Sequence, residues 1–98
     1  MTVDETLGAD LVIAQTTVLA PDRKAYQVST LNREASTAPL AGHRYAETIV
    51  WRVDSKTGKR GEMFGPLDED LEGAISAHVR IAQRIRKTGQ VELEERHE

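Results

Sequence analysis

The sequence predicts an α+β fold, an antiparallel sheet of about four strands with one long C-terminal helix packed on one face. Three observations carry that reading. Two β-prone segments flank Pro21-Asp22, and two more flank Asp54-Ser55-Lys56-Thr57-Gly58. The apolar period then changes from two to 3.6 after Pro66. The chain of 98 residues matches the size of a single domain, predicted over 1–98 with loose ends at 1–9 and 90–98.

Leu11 to Leu19 is rich in β-branched and apolar residues and reads as the first strand. Proline fixes φ and starts turns readily, so Pro21-Asp22 ends it. Lys24 to Asn32 alternates, with Tyr26, Val28 and Thr30 on one face, and the short gap predicts a hairpin. Arg33 to Gly42 has no period and reads as a loop. His43 to Asp54 is the strongest strand, closed by a turn in which Gly58 can take positive φ. A short returning strand, Lys59 to Phe64, precedes Gly65-Pro66, which is expected to end the sheet.

From Asp68 to Lys87 the pattern is helical. Asp68 is the expected N-cap, with Glu69, Asp70 and Glu72 in the first turn, where the helix dipole favours anions. Arg84, Arg86 and Lys87 crowd the last turn, and Gly89 stands where a left-handed C′ residue is expected. Leu71, Ala74, Ile75, His78, Ile81, Ala82 and Ile85 form the predicted apolar stripe. Val91 and Leu93 alternate faintly, so the tail is either an edge strand or disordered.

Composition narrows the function. Apolar residues make up 39% of the chain and charged residues 30%, which predicts a thin core and help from a second subunit. The expected homo-oligomer contact is the sheet's second face, with Val12, Ala14, Val18, Ala46 and Val50. The absence of cysteine excludes disulfides, thiol catalysis and thiolate zinc sites. No apolar run approaches the roughly 18 residues of a membrane span, and the acidic N-terminus does not read as a signal peptide, so the expected compartment is the cytoplasm. The net charge of −3 is unevenly spread: from Arg23 to Arg60 there are eight basic residues and three acidic ones. Such a segment either attracts phosphate groups or forms a solvated sheet face, and the overall acidity opposes bulk nucleic-acid binding.

Two polar residues fall on apolar faces. Alternation from His43 puts Glu47 in a row with Tyr45, Ile49, Trp51 and Val53, the row expected to face the helix. His78 falls within the helical stripe, between the small residues Ala74 and Ala82. The two residues either organise the core by bonding each other or nearby backbone, sit at an oligomer contact, or line a ligand site walled by Tyr45 and Trp51. An acid–base pair is conceivable, but no nucleophile elbow, metal spacing or glycine-rich phosphate loop accompanies it. The chain therefore reads as a non-enzyme with no cofactor or metal. Arg33, Arg44 and Arg52 are the candidate phosphate ligands, by forked hydrogen bonds.

The order Val28-Ser29-Thr30, Pro39-Leu40, Glu47-Thr48-Ile49-Val50-Trp51 and Ala77-His78 resembles a family of small phage and actinobacterial proteins, over about residues 26–86. Some of its phage members are Thoeris anti-defence proteins. That resemblance implies a non-catalytic protein that sequesters a cyclic ADP-ribose-type, nucleotide-like signal. Here Leu31-Asn32-Arg33-Glu34 stands where the family has an apolar stretch followed by an acid–histidine pair, and the loop lacks a glycine-rich run. The expected function is thus a small binding protein that sequesters a phosphorylated signal or blocks a host protein. The alternative is a regulatory module that contacts nucleic acid or a protein partner through the basic middle.

Overall fold

The computed structural model describes residues 11–35 and 42–92, so the expectations for residues 1–9, Pro39-Leu40 and Leu93 lie outside the described residues. Four strands, β1 (Leu11–Leu19), β2 (Ala25–Glu34), β3 (Arg44–Val53) and β4 (Arg60–Glu69), form one antiparallel sheet in the order β1-β2-β3-β4. A 3₁₀ turn, Leu71–Gly73, leads into the helix α1, Ala74–Thr88. The fold is the predicted α+β meander with one C-terminal helix. Among the described residues no helix is long and apolar enough to cross a membrane.

The helix covers the face opposite to the one expected. Directly opposed residues of an antiparallel pair share a face. The register joins Tyr26 to Arg52, Val28 to Val50, Thr30 to Thr48 and Asn32 to Ala46. Val28 and Val50 are fully buried and pack with Ala20, Tyr26, Ile81, Ala82 and Ile85 as the core. The row Tyr45, Glu47, Ile49, Trp51 therefore lies on the sheet's other side. Ala46 and Val50, expected at an oligomer contact, are buried, and Val18 packs against the same cluster. The reason is cross-strand. Tyr26, Val28 and Thr30 of β2 bring the uncharged Ala46, Thr48 and Val50 with them, and a helix can close on that surface. The other face of β3 carries a carboxylate and two large aromatic rings.

Three boundaries also move. β2 continues through Arg33 and Glu34, which pair with Tyr45 and Arg44 instead of starting a loop. β4 passes through Gly65-Pro66, joined by a cis peptide, because a register shift between Val50–Phe64 and Thr48–Leu67 absorbs them. Proline is tolerated there because β4 is an edge strand with a bulge. Asp68 and Glu69 consequently pair with Glu47 and Ala46 and do not open the helix. Asp70 caps the 3₁₀ turn through backbone geometry alone, without a side-chain bond.

The helix buries Ala74, Ala77, His78, Ile81, Ala82 and Ile85, whereas Leu71 (38%) and Ile75 (53%) of the predicted stripe are exposed. The buried arc is rotated because Ala77, absent from that stripe, closes on the sheet. Gly89 ends the helix at φ 79°, as its position predicted, and its N–H donates to the Ile85 carbonyl at 2.8 Å. The positive φ is what calls for glycine there, since a Cβ would meet Pro21 Cδ only at an ordinary contact distance of 3.6 Å.

Candidate binding surface at the basic end

In a meander the first and third turns lie at one end of the sheet and the second at the other. Both turns at the first end are built from short polar bonds. In the β1–β2 turn Ala20 N–H donates to Lys24 O and Arg23 N–H to Ala20 O, each at 2.9 Å, while Arg23 adopts φ 75°. In the β3–β4 turn the Asp54 carboxylate accepts from the backbone N–H of Lys56 (2.8 Å) and Thr57 (3.1 Å). Those donors hold the Asp54 carboxyl below the usual aspartate value. The carboxylate is thus held ionised by the turn it forms. Gly58, at φ 76°, completes it by donating to Asp54 O at 2.7 Å.

These turns bring Arg23 and Lys24 beside Arg52, Lys56, Lys59 and Arg60. One cleft of about 330 Å³ is lined by Arg23, Lys24, Arg52 and Lys56, and a second of about 350 Å³ by Arg52, Lys59 and Arg60. Lys24 reaches Asp22 at 3.7 Å. Among the described residues Arg23, Arg52, Lys56 and Lys59 form no ion pair with a carboxylate. Asp54 lines both clefts as well, so six cations face one carboxylate, and the net positive field draws anions.

Trp51 adjoins this end on the uncovered face. The Arg60 guanidinium lies 5.0 Å from the centroid of its ring, a cation–π contact. Arg60 is oriented by Gln27, whose Oε1 accepts from Nε at 2.9 Å and from Nη2 at 2.6 Å. Gln27, Trp51 and Met63 are opposed in register across β2, β3 and β4.

The other predicted site residues are dispersed. Glu47, only 9% exposed, accepts from Arg33 Nη1 at 2.6 Å on the uncovered face. Arg44 donates to Asn32 Oδ1 at 2.8 Å and to Glu34 Oε1 at 3.2 Å, bracing the β2–β3 end. Tyr45 lines a cleft with His43, Asp68, Glu69 and Asp70, ~20 Å along β3 from Trp51 at about 3.3 Å per residue. That mouth is acidic and unsuited to phosphate.

His78 is on the helix-covered face, so it cannot meet Glu47 across the sheet. Its Nε2 and the Thr16 hydroxyl are 2.8 Å apart, and its Nδ1 lies 2.9 Å from the Thr30 hydroxyl. Thr30 and Thr48 share a further bond of 2.8 Å. The imidazole is 3% exposed, and burial holds its pKa below the usual histidine value. A neutral ring bonded at both nitrogens is a core organiser, and the Glu47–His78 site expected between helix and sheet is not formed.

Of the seven predicted residues, Arg52 therefore belongs to the basic end, and Trp51, on the opposite face of β3 from Arg52, is linked to it through Arg60. Arg23, Lys24, Lys56, Lys59 and Arg60 join them. The signal for these five was present: basic residues flank both the first and third turns, and meander topology puts those turns together. Searches of protein families, of curated proteins and of solved structures return no match to this chain.

Proposed function

We propose that the protein is a non-catalytic binding module for a ligand that carries phosphate and a flat ring, a nucleotide-like small molecule. The observation that supports this reading is the convergence of Arg23, Arg52, Lys56 and Lys59, none in a salt bridge among the described residues, on two clefts, the second of which is also lined by Arg60, the residue stacked on Trp51. Phosphate is drawn by the clustered cations, and guanidinium forks add directional bonds. A base stacks either on Trp51 in place of Arg60 or on the planar guanidinium itself. The family resemblance adds a biological form for the same chemistry, a phage protein that sequesters a cyclic ADP-ribose-type signal.

A second reading is favoured by one specific observation. Trp51 is on the uncovered face of the sheet and not in the core, so single-stranded nucleic acid could track the basic end and stack one base there. Calorimetry with cyclic and linear adenine nucleotides and with short oligonucleotides separates the two. The first reading expects saturable binding of a mononucleotide, weakened at least tenfold by Arg52→Ala combined with Lys56→Ala, with the loss shrinking as salt rises. Binding that grows with oligonucleotide length selects the second. No heat with any member at concentrations well above micromolar removes both and leaves a protein target.

A further inference from the structure

The two edges of the sheet are built in opposite ways. An edge strand exposes a row of backbone donors and acceptors, and proteins blunt such rows with charge, proline and bulges. β4 has all three: Arg60, Glu62, Asp68 and Glu69 are charged, Pro66 interrupts it, and its register with β3 shifts twice. β1, Leu-Val-Ile-Ala-Gln-Thr-Thr-Val-Leu, has neither a charge nor a proline in nine residues. Its one irregularity falls early, between Val12 and Ala14, which leaves Ala14 to Leu19 regularly paired to β2. Leu11, Val12 and Leu19 are each more than half exposed.

The helix adds a second apolar element on the same side. It packs chiefly on β1 and β2, the edge half of the sheet. At 100° per residue Ile75, Val79 and Arg86 fall within about 40° of one another on one flank. Val79, Gln83 and Arg86 line a cleft of about 220 Å³ with Thr16 and Val18 of β1. Ile75 and Val79 are 53% and 45% exposed, although they continue the helix's apolar arc. The flank therefore has an apolar surface that β1 does not cover.

We infer that this side receives a second copy of the chain, with β1 paired antiparallel to its counterpart so that the two sheets run on as one. The partner's strand then lies beneath the Ile75–Val79 flank and closes the cleft at Thr16. The self-pairing follows from charge. A two-fold contact brings the same patch of both copies together, so a charged patch repels itself. β1 contributes no charge, and among the described residues that line the cleft Arg86 is the one formally charged, beside the buried imidazole of His78. The basic end and the acidic mouth at Asp68–Asp70 would each meet their own sign.

Sedimentation of the full chain at micromolar concentration tests the inference. The expected species has about twice the 10.9 kDa chain mass. Thr17→Lys on β1 and Val79→Lys on the helix should each weaken the dimer at least tenfold, with the circular dichroism of the native fold retained. Both positions are exposed in the single chain, and they lie on different elements, so if one variant misfolds the other still decides. Met63→Lys, an exposed β4 position on the uncovered face, should leave the dimer intact. A native monomer across that range overturns the inference, as does a dimer that survives both β1-side variants. Dissociation by Met63→Lys instead would assign the contact to the uncovered face.

Discussion

The two faces of the sheet satisfy their polar atoms in different ways. Under the helix, Thr30, Thr48 and His78 are almost wholly buried, and every bond among them joins neutral groups. On the uncovered face the buried carboxylate of Glu47 keeps its charge company with Arg33, whose side chain is 38% exposed. An ion moved into the interior loses more hydration than one partner returns, whereas near the surface its partner stays partly solvated. Depth therefore decides which chemistry each face can hold. Hydroxyls and imidazole serve the covered side, and ion pairs with a cation–π contact serve the open one.

The largest expected effect tests whether the covered face carries the stability. Ile85→Ala should cost about 2–5 kcal/mol in urea unfolding, because Ile85 is fully buried in the core. Met63→Ala on the uncovered face should stay within about 0.5 kcal/mol. Similar losses at the two positions would erase the contrast.

Next comes the neutral network. His78→Ala should cost about 1–3 kcal/mol, since it strands the Thr16 hydroxyl and leaves Thr30 with Thr48 alone. The same residue gives a pH dependence. Its folded pKa lies below the ordinary value of 6.5, so the unfolded chain takes up this proton first as pH falls. The stability it contributes is complete above about pH 6.5 and is lost as pH falls below that value toward the folded pKa. Urea midpoints between pH 7.5 and 5.5, chosen as roughly one unit either side of that value, should show a decline that His78→Gln removes. An unchanged pH profile in that variant would sink the assignment of a buried neutral imidazole.

A smaller effect is expected from Glu47→Ala, about 1 kcal/mol, reduced in high salt because Arg33 is partly solvated. Combined with His78→Ala the losses should add within about 0.5 kcal/mol, as the residues occupy opposite faces and share no partner. Strong coupling in the double mutant would contradict this placement. The smallest stability effect should be at Arg52→Ala, within about 0.5 kcal/mol by thermal or urea unfolding. A larger loss would make Arg52 a structural residue and weaken its assignment to ligand binding.

Much of this arrangement was legible in local chemistry. β-Prone composition and turn residues marked the four strands, Gly58 and Gly89 carry the positive φ their positions called for, and Arg86 and Lys87 close the helix as expected. The Asp54 turn forms from its own backbone donors. Such features depend on a few neighbouring residues, and a sequence states those directly. The basic end is an intermediate case. Its residues were visible as an excess of charge, but their convergence required the additional rule that alternate turns of a meander share an end.

By itself the sequence determined the order of elements, the strand and helix periods, the C-cap and the grouping of Tyr26, Val28 and Thr30 on one face of β2. Only the tertiary structure decided which face of β3 the helix covers, and with it the fates of Glu47, His78 and Trp51. The period-two pattern of β3 has two candidate core rows, Tyr45-Glu47-Ile49-Trp51 and Ala46-Thr48-Val50, and size alone favours the aromatic one. The register with β2 broke that tie, because Val28 opposes Val50 and Thr30 opposes Thr48. Likewise, the choice of Ala77 over Leu71 and Ile75 depended on where the helix axis lies above β1 and β2. Both outcomes are set by contacts between residues far apart in the chain, whose pairing a local pattern does not encode.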